Sequence, residues 1–144
     1  ITDPTMTRFL MTLDQSVDLV LYAFEHATSG DIFVQKAPAS TILDLAHAVA
    51  SFSDHNTETK IIGTRHGEKL YETLVSREEM SRAIEHTGFF RLPLDERDLN
   101  YSAYFSEGEH LPSMIQEYNS HNAELLPVSK VSDLLSTLNL FSNY

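Results

Sequence analysis

The segment KIIGTRHGEKLYETLVS, Lys60–Ser76, organises the reading of this chain. Ile61 and Ile62 near its start are apolar and β-branched, which predicts a short strand at TKIIG. Gly63 and Gly67 then bracket a turn, and EKLYETLVS has the spacing of a short helix with Leu70, Tyr71 and Leu74 facing inward. A strand that runs through a glycine turn into a helix leaves unpaired amides at the helix start, where an anion is favoured. Arg65 brings a planar guanidinium able to grip a phosphate through two parallel hydrogen bonds. Glu68, three positions on, can accept hydrogen bonds from a diol such as a ribose. A cation and a carboxylate on one turn therefore suit a nucleotide. Spacing alone equally allows a plainer reading, in which Glu68 favours a helix N-terminus and Arg65 is its exposed ionic partner.

Working outward, alternation of helix and strand covers the first ninety residues. TLDQSVDLVLYAFEHATSG predicts a helix, with Thr12 and Gln15 as a capping box, Val17, Val20, Leu21 and Phe24 as an apolar face and Gly30 as a stop. DIFVQKA predicts a strand ending at Pro38. STILDLAHAVASF predicts a second helix, capped by Thr41 and Asp44, with Ile42, Leu45, Val49 and Phe52 inward. Ser76 and Glu79 cap a short helix, REEMSRAIE, and GFFRLP reads as extended. This order implies an α/β layer arrangement. From Asp95 the periodicity fades into a stretch rich in tyrosine, asparagine and charge, until SKVSDLLSTLNLF closes the chain as a helix capped at Ser129. The expected division is thus an α/β lobe over 1–94 and an irregular tail with a terminal helix over 95–144.

Composition narrows the partners. Of 144 residues, 10 are basic and 21 acidic, a formal net charge of −11, which opposes a nucleic-acid backbone or an anionic membrane surface. A small anionic ligand needs only local positive charge and stays open. The absence of cysteine excludes disulfides and thiolate metal sites, and the seven histidines form no H-x-x-x-H or H-E-x-x-H pattern, so no metal ligand is assigned. No apolar run approaches the ~18 residues of a membrane span, and no signal-peptide pattern is present, so a cytoplasmic protein is expected. The chain opens on ITDPTMTRF without a methionine, which fits a piece of something longer.

Four motifs occur in order: TDPTMTRFLMTLDQSVDLVLYAFEH, GDIFVQKAP, IIGTRHGEKLYE and RDLNY…YNSHN. Together they resemble the C-terminal half of the extended short-chain dehydrogenase/reductase family acting on UDP-sugars. Within it they are most similar to the UDP-N-acetylglucosamine 4,6-dehydratases of the inverting, C5-epimerising type, which serve bacterial surface polysaccharide biosynthesis. The RDLNY…YNSHN tail points to that branch, and the resemblance weakens from about Ala123. It implies a small substrate-binding lobe without its Rossmann lobe. It implies that Arg65 contacts the pyrophosphate and Glu68 the ribose, and it makes Thr7 and Arg8, in MTRF, further substrate-binding candidates.

Two family features are missing from the sequence. The five glycines nowhere approach G-x-x-G-x-x-G, and the residue four positions after a tyrosine is His26, Val75, Phe105, Gly108 or Asn122, never the lysine of the family's Tyr-x-x-x-Lys. The resemblance therefore implies that NADP and the hydride chemistry belong to a Rossmann lobe outside this chain, which would bind a UDP-sugar and be inactive alone. Asp95, Glu96, Asp98 and His121 are available on the tail, yet no spacing singles one out, so no catalytic residue is assigned. The tail's aromatics suit packing against another surface, the neighbouring lobe or a second subunit. The family's habit of oligomerising makes a subunit latch in a homo-oligomer the expected partner contact, with a meandering cover over the domain's own core as the alternative. The alternatives are a non-catalytic interaction or regulatory domain derived from the same lobe, or the substrate lobe of a retaining dehydratase or a UDP-sugar 4-epimerase.

Overall fold

A computed structural model describes residues 1–53, 57–94 and 115–138. The architecture is mixed α/β, as the alternation implied. In chain order the elements are β1 (Thr7–Phe9), α1 (Leu13–His26), β2 (Ile32–Gln35), β3 (Ala39–Thr41), α2 (Ile42–Ala50), β4 (Thr73–Val75), α3 (Arg77–Met80), β5 (Ile84–His86), β6 (Phe89–Leu92), β7 (Tyr118–Asn119) and α4 (Val128–Thr137). Among the described residues no helix is long and apolar enough to cross a membrane.

The described chain forms two compact units. The first comprises Ile1–Ser16, Ala37–Thr73 and the described residues from Asn119 on. Here β1 and β3 pair antiparallel, with Thr7 opposite Thr41, Arg8 opposite Ser40 and Phe9 opposite Ala39. The backbone of Ala39 also bonds the chain at Glu124 and Leu126, 2.8 Å each way. α2 starts directly from β3 because Thr41 accepts from the Asp44 amide at 3.0 Å and donates to the Asp44 carboxylate at 2.7 Å. It packs on α4, with Ala48 and Val131 both fully buried. The face expected to be the core side of α2 behaves differently. Ile42, Leu45 and Val49 line an open, mostly apolar groove of about 390 Å³ with Ile1 and Thr57, and small Ala48 makes the close helix contact instead.

The second unit comprises Val17–Lys36 and the described part of Leu74–Tyr118. Its sheet has the order β2-β6-β5, antiparallel throughout, with Val34 opposite Phe90 and Glu85 opposite Phe90 on the other side. Val75, Phe90 and Leu92 are its buried centre, packed by Val34, Met80, Ala83 and Tyr118. The β5–β6 hairpin turns on Thr87 and Gly88, the glycine at φ +87°. Tyr22 of α1 meets this sheet through Phe33 and Phe89, with ring centroids 5.9 and 4.8 Å away. The face read as apolar points elsewhere: Val20, Leu21 and Phe24 are 53%, 60% and 85% exposed.

The Thr12–Gln15 and Ser76–Glu79 capping boxes are both formed. Residues 57–63 are not a strand. Ile1 lies alongside, accepting from the Ile62 amide and donating its terminal amine to the Lys60 carbonyl, both at 2.8 Å, and one residue makes no ladder. Residues 68–76 are not a helix. The Leu70 carbonyl takes the Thr7 amide at 3.0 Å, and the Glu72 carbonyl takes the Ser120 amide at 2.9 Å, so the acceptors an i→i−4 ladder requires are engaged by distant segments. β-branched Thr73 and Val75 continue this as β4. α3 stops after one turn because Ile84–His86 leaves it to pair with β6. α4 begins at Val128 with Pro127 at its N-cap and no side-chain cap, so Ser129 is not the cap. Most of the expected latch, including Tyr101, Tyr104 and Phe105, lies outside the described residues, as do Asp95, Glu96 and Asp98.

Candidate functional site

The turn at 63–68 is open. Gly63 and Gly67 sit at φ +83° and +81°, and a Cβ on either would meet nothing within 4 Å. The glycines serve backbone conformation here, not close packing. The Glu68 carboxylate folds back across the turn: one oxygen accepts from the Arg65 amide at 2.9 Å and the other from the Thr2 hydroxyl at 2.8 Å. These bonds, the Arg65 amide first and the Thr2 hydroxyl next, hold the Glu68 carboxyl below its ordinary value, helped by the nearby charges of Arg65 and Arg8. The Arg65 guanidinium makes no hydrogen bond or ion pair among the described residues and stands exposed.

Arg8 leaves β1 toward the same turn but serves the backbone. Its Nη2 donates to the Lys69 carbonyl at 2.8 Å and its Nη1 to the Thr7 carbonyl at 2.7 Å. Its Nε lies 3.8 Å from Glu72, whose other oxygen is 3.8 Å from the Lys69 ammonium. Arg8 thus fastens the segment after the turn while two cations, Arg65 and Lys69, stay at the surface. Among the four sequence candidates, Arg65 and Glu68 share one turn and Arg8 braces it.

Thr7 lies deeper, 3% exposed. Its hydroxyl is 2.7 Å from both the Ser120 hydroxyl and His121 Nδ1. Ser120, fully buried, also accepts from the Glu72 amide at 3.0 Å and reaches the Thr7 carbonyl at 3.1 Å. The His121 ring stands 4.8 Å from that of Tyr71. Lys69, Leu70, Tyr71 and Thr73 line a cleft of about 360 Å³, the size of a small-molecule pocket (~300–1,000 Å³). His121, Ser120 and Tyr71 carry no spacing signal toward the turn, since the Thr7–His121 bond joins residues 114 apart. The one local sign is Asn119, whose Oδ1 accepts from the His121 and Asn122 amides at 2.9 and 3.0 Å, an asparagine turn that presents the histidine.

Comparison with known proteins extends this geometry. A family model described as "Polysaccharide biosynthesis protein" matches residues 1–93, and one described as "Polysaccharide biosynthesis protein C-terminal" matches 95–141. Relatives named UDP-glucose 4-epimerase include one from Rickettsia felis, 56% identical over 138 residues, and one from Rickettsia canadensis, 54% identical over 139. Each alignment covers 96% of this chain and 40% or 41% of the relative. This chain therefore spans about two-fifths of the length of these curated relatives. Among solved structures it is similar to Pen from Bacillus thuringiensis, with a TM-score of 0.76 and 26% identity, covering 97% of this chain and 40% of that one. The fold is that of a C-terminal lobe of an extended short-chain dehydrogenase/reductase. The chain belongs to the polysaccharide biosynthesis protein family.

Proposed function

We propose that this chain binds the UDP moiety of a UDP-sugar, as the substrate lobe of a UDP-N-acetylglucosamine 4,6-dehydratase/5-epimerase. The observation that carries the reading is the Arg65–Glu68 turn, where a carboxylate is fixed by two internal hydrogen bonds and an unpaired guanidinium stands beside it. A phosphate can take the guanidinium without displacing a protein partner. The carboxylate can exchange the Thr2 hydroxyl for a ribose hydroxyl at little cost, one O–H donor for another. Lys69 adds a second exposed cation.

The contribution to chemistry is binding and orientation. In such a dehydratase, NADP held by a Rossmann lobe would supply the hydride-accepting chemistry at the sugar C4. The described residues do not fit that cofactor: their glycines are isolated at 30, 63, 67 and 88, and a Cβ at Gly30 would lie 2.7 Å from Leu94. The residues of this chain hold the diphosphate so that the sugar lies at a fixed distance from the reacting groups of a Rossmann lobe.

A 4-epimerase is the second reading, favoured by the name that relatives at 54–56% identity carry. Both reactions begin by oxidising C4, so the nucleotide site serves either. Calorimetry on this chain tests the shared part: saturable UDP binding, weakened about tenfold to a hundredfold by Arg65→Ala, supports it. No binding at millimolar UDP would leave an interaction domain derived from the lobe. Tighter binding of UDP-N-acetylglucosamine than of UDP-glucose favours the dehydratase, and the reverse order the epimerase.

A further inference from the structure

We propose that His121, anchored by Thr7 and paired with Tyr71, contacts a ring of the bound nucleotide sugar in the cleft beside the Arg65–Glu68 turn; this rests on the UDP-sugar reading above. Thr7, expected to touch substrate, is buried, and its hydroxyl faces Ser120 and His121. What Thr7 holds is therefore the better candidate for contact.

An exposed histidine ordinarily samples several rotamers, and this one is fixed at two points. Its amide donates to Asn119 at 2.9 Å, and its Nδ1 is 2.7 Å from the Thr7 hydroxyl. The Thr7–Ser120–His121 anchor has two complete donor–acceptor arrangements. If the Ser120 hydroxyl donates to the Thr7 carbonyl, the Thr7 hydroxyl donates to Ser120 and accepts from Nδ1–H. If Ser120 donates to the Thr7 hydroxyl instead, Thr7 donates to a bare Nδ1. Both arrangements satisfy every group, so the ring is held with either tautomer at Nδ1.

Nε2 is then the free end, with no bond to a described residue, and the Tyr71 hydroxyl is equally unpartnered among them. The two rings lie 4.8 Å apart with 39° between their planes, an open V whose Tyr71 arm lines the cleft together with Lys69, Leu70 and Thr73. Flat surfaces with hydrogen-bonding tips next to a cation match a ring bearing polar oxygens beside a phosphate. The uracil–ribose end and the pyranose end both offer that chemistry.

The experiment is a titration of the full chain with UDP-N-acetylglucosamine, followed through the imidazole Cε1–H signal of His121, which the His121→Gln spectrum assigns. A saturable shift tracking the calorimetric curve is expected, with binding weakened about threefold to thirtyfold in His121→Gln and Tyr71→Ala. Thr7→Val is expected to move the free His121 signal and weaken binding similarly, while Thr7→Ser retains both. Repeating the titration with UDP and with N-acetylglucosamine 1-phosphate identifies which end is touched. Calorimetric binding with the His121 signal stationary overturns this inference and leaves the UDP-sugar reading intact. No binding at all removes that reading and this inference with it. A shift with the whole ligand but with neither fragment overturns the ring contact.

Discussion

Arg8 Nη2 donates to the main-chain carbonyl of Lys69 at 2.8 Å, so a guanidinium on β1 holds the segment that follows the Gly63–Gly67 turn. Because the acceptors are carbonyls, the interaction needs the forked donor and not merely a positive charge. Arg8→Ala should destabilise the chain by about 1–2 kcal/mol, a charged hydrogen bond discounted for a side chain 29% exposed. Arg8→Lys should recover less than half of that. Urea denaturation measures both, and an Arg8→Ala protein of unchanged stability would contradict the bracing role.

The Glu68 carboxylate is held below its ordinary pKa, by the Arg65 amide first and Thr2 next. A depressed carboxylate orders the turn above its unfolded pKa and loses that effect as pH falls through the folded value. Protection of the Arg65 amide against hydrogen exchange, corrected for intrinsic rates, should therefore be constant from neutral pH to about 5 and decline below about 4. Glu68→Gln should show reduced protection with no such decline.

Asp31 gives the second unit a similar acid sensitivity. Its Oδ2 accepts from the Thr28 amide, the Thr28 hydroxyl and Arg91 Nε, each at 2.8 Å, and its side chain is 1% exposed. The Thr28 amide, ahead of Arg91 and the Thr28 hydroxyl, lowers its pKa against the opposing effect of burial. The sign is that of a depressed acid: stability is full above about pH 4 and falls below it. Asp31→Asn should lower the thermal midpoint at pH 7 and flatten its dependence between pH 5 and 3. An unaltered pH profile would count against this node.

The exposed face of α1 predicts association. Val17, Val20, Leu21 and Phe24 lie at helical spacing and are 47–85% exposed, a contiguous apolar stripe that water does not tolerate well. In isolation the chain should form dimers or larger species in light scattering at micromolar concentration, and Leu21→Glu with Phe24→Glu should shift it to monomer. A wild-type chain that is monodisperse as a monomer would refute this.

What the sequence made legible was local. The bonds at Thr12–Gln15, Thr41–Asp44 and Ser76–Glu79 each close over three residues, so spacing alone finds them. The same holds for the Arg65–Glu68 pairing. The stretch from Lys60 to Val75 escaped because its backbone partners are Ile1, Thr7 and Ser120, none nearby in sequence. Helical periodicity in EKLYETLVS was real and was overridden by those bonds. His121 was visible only as an available side chain, since Thr7, which gives it a fixed position, lies at the far end of the chain.

The central claim is that the guanidinium of Arg65 and the carboxylate of Glu68 hold a nucleoside diphosphate. A crystal structure of the chain grown with UDP tests it most directly. The account predicts a phosphate oxygen within hydrogen-bond distance of Arg65 and a ribose hydroxyl on Glu68 in place of Thr2. UDP bound at another place on the chain, with the Thr2–Glu68 bond still closed and Arg65 facing solvent, would contradict it.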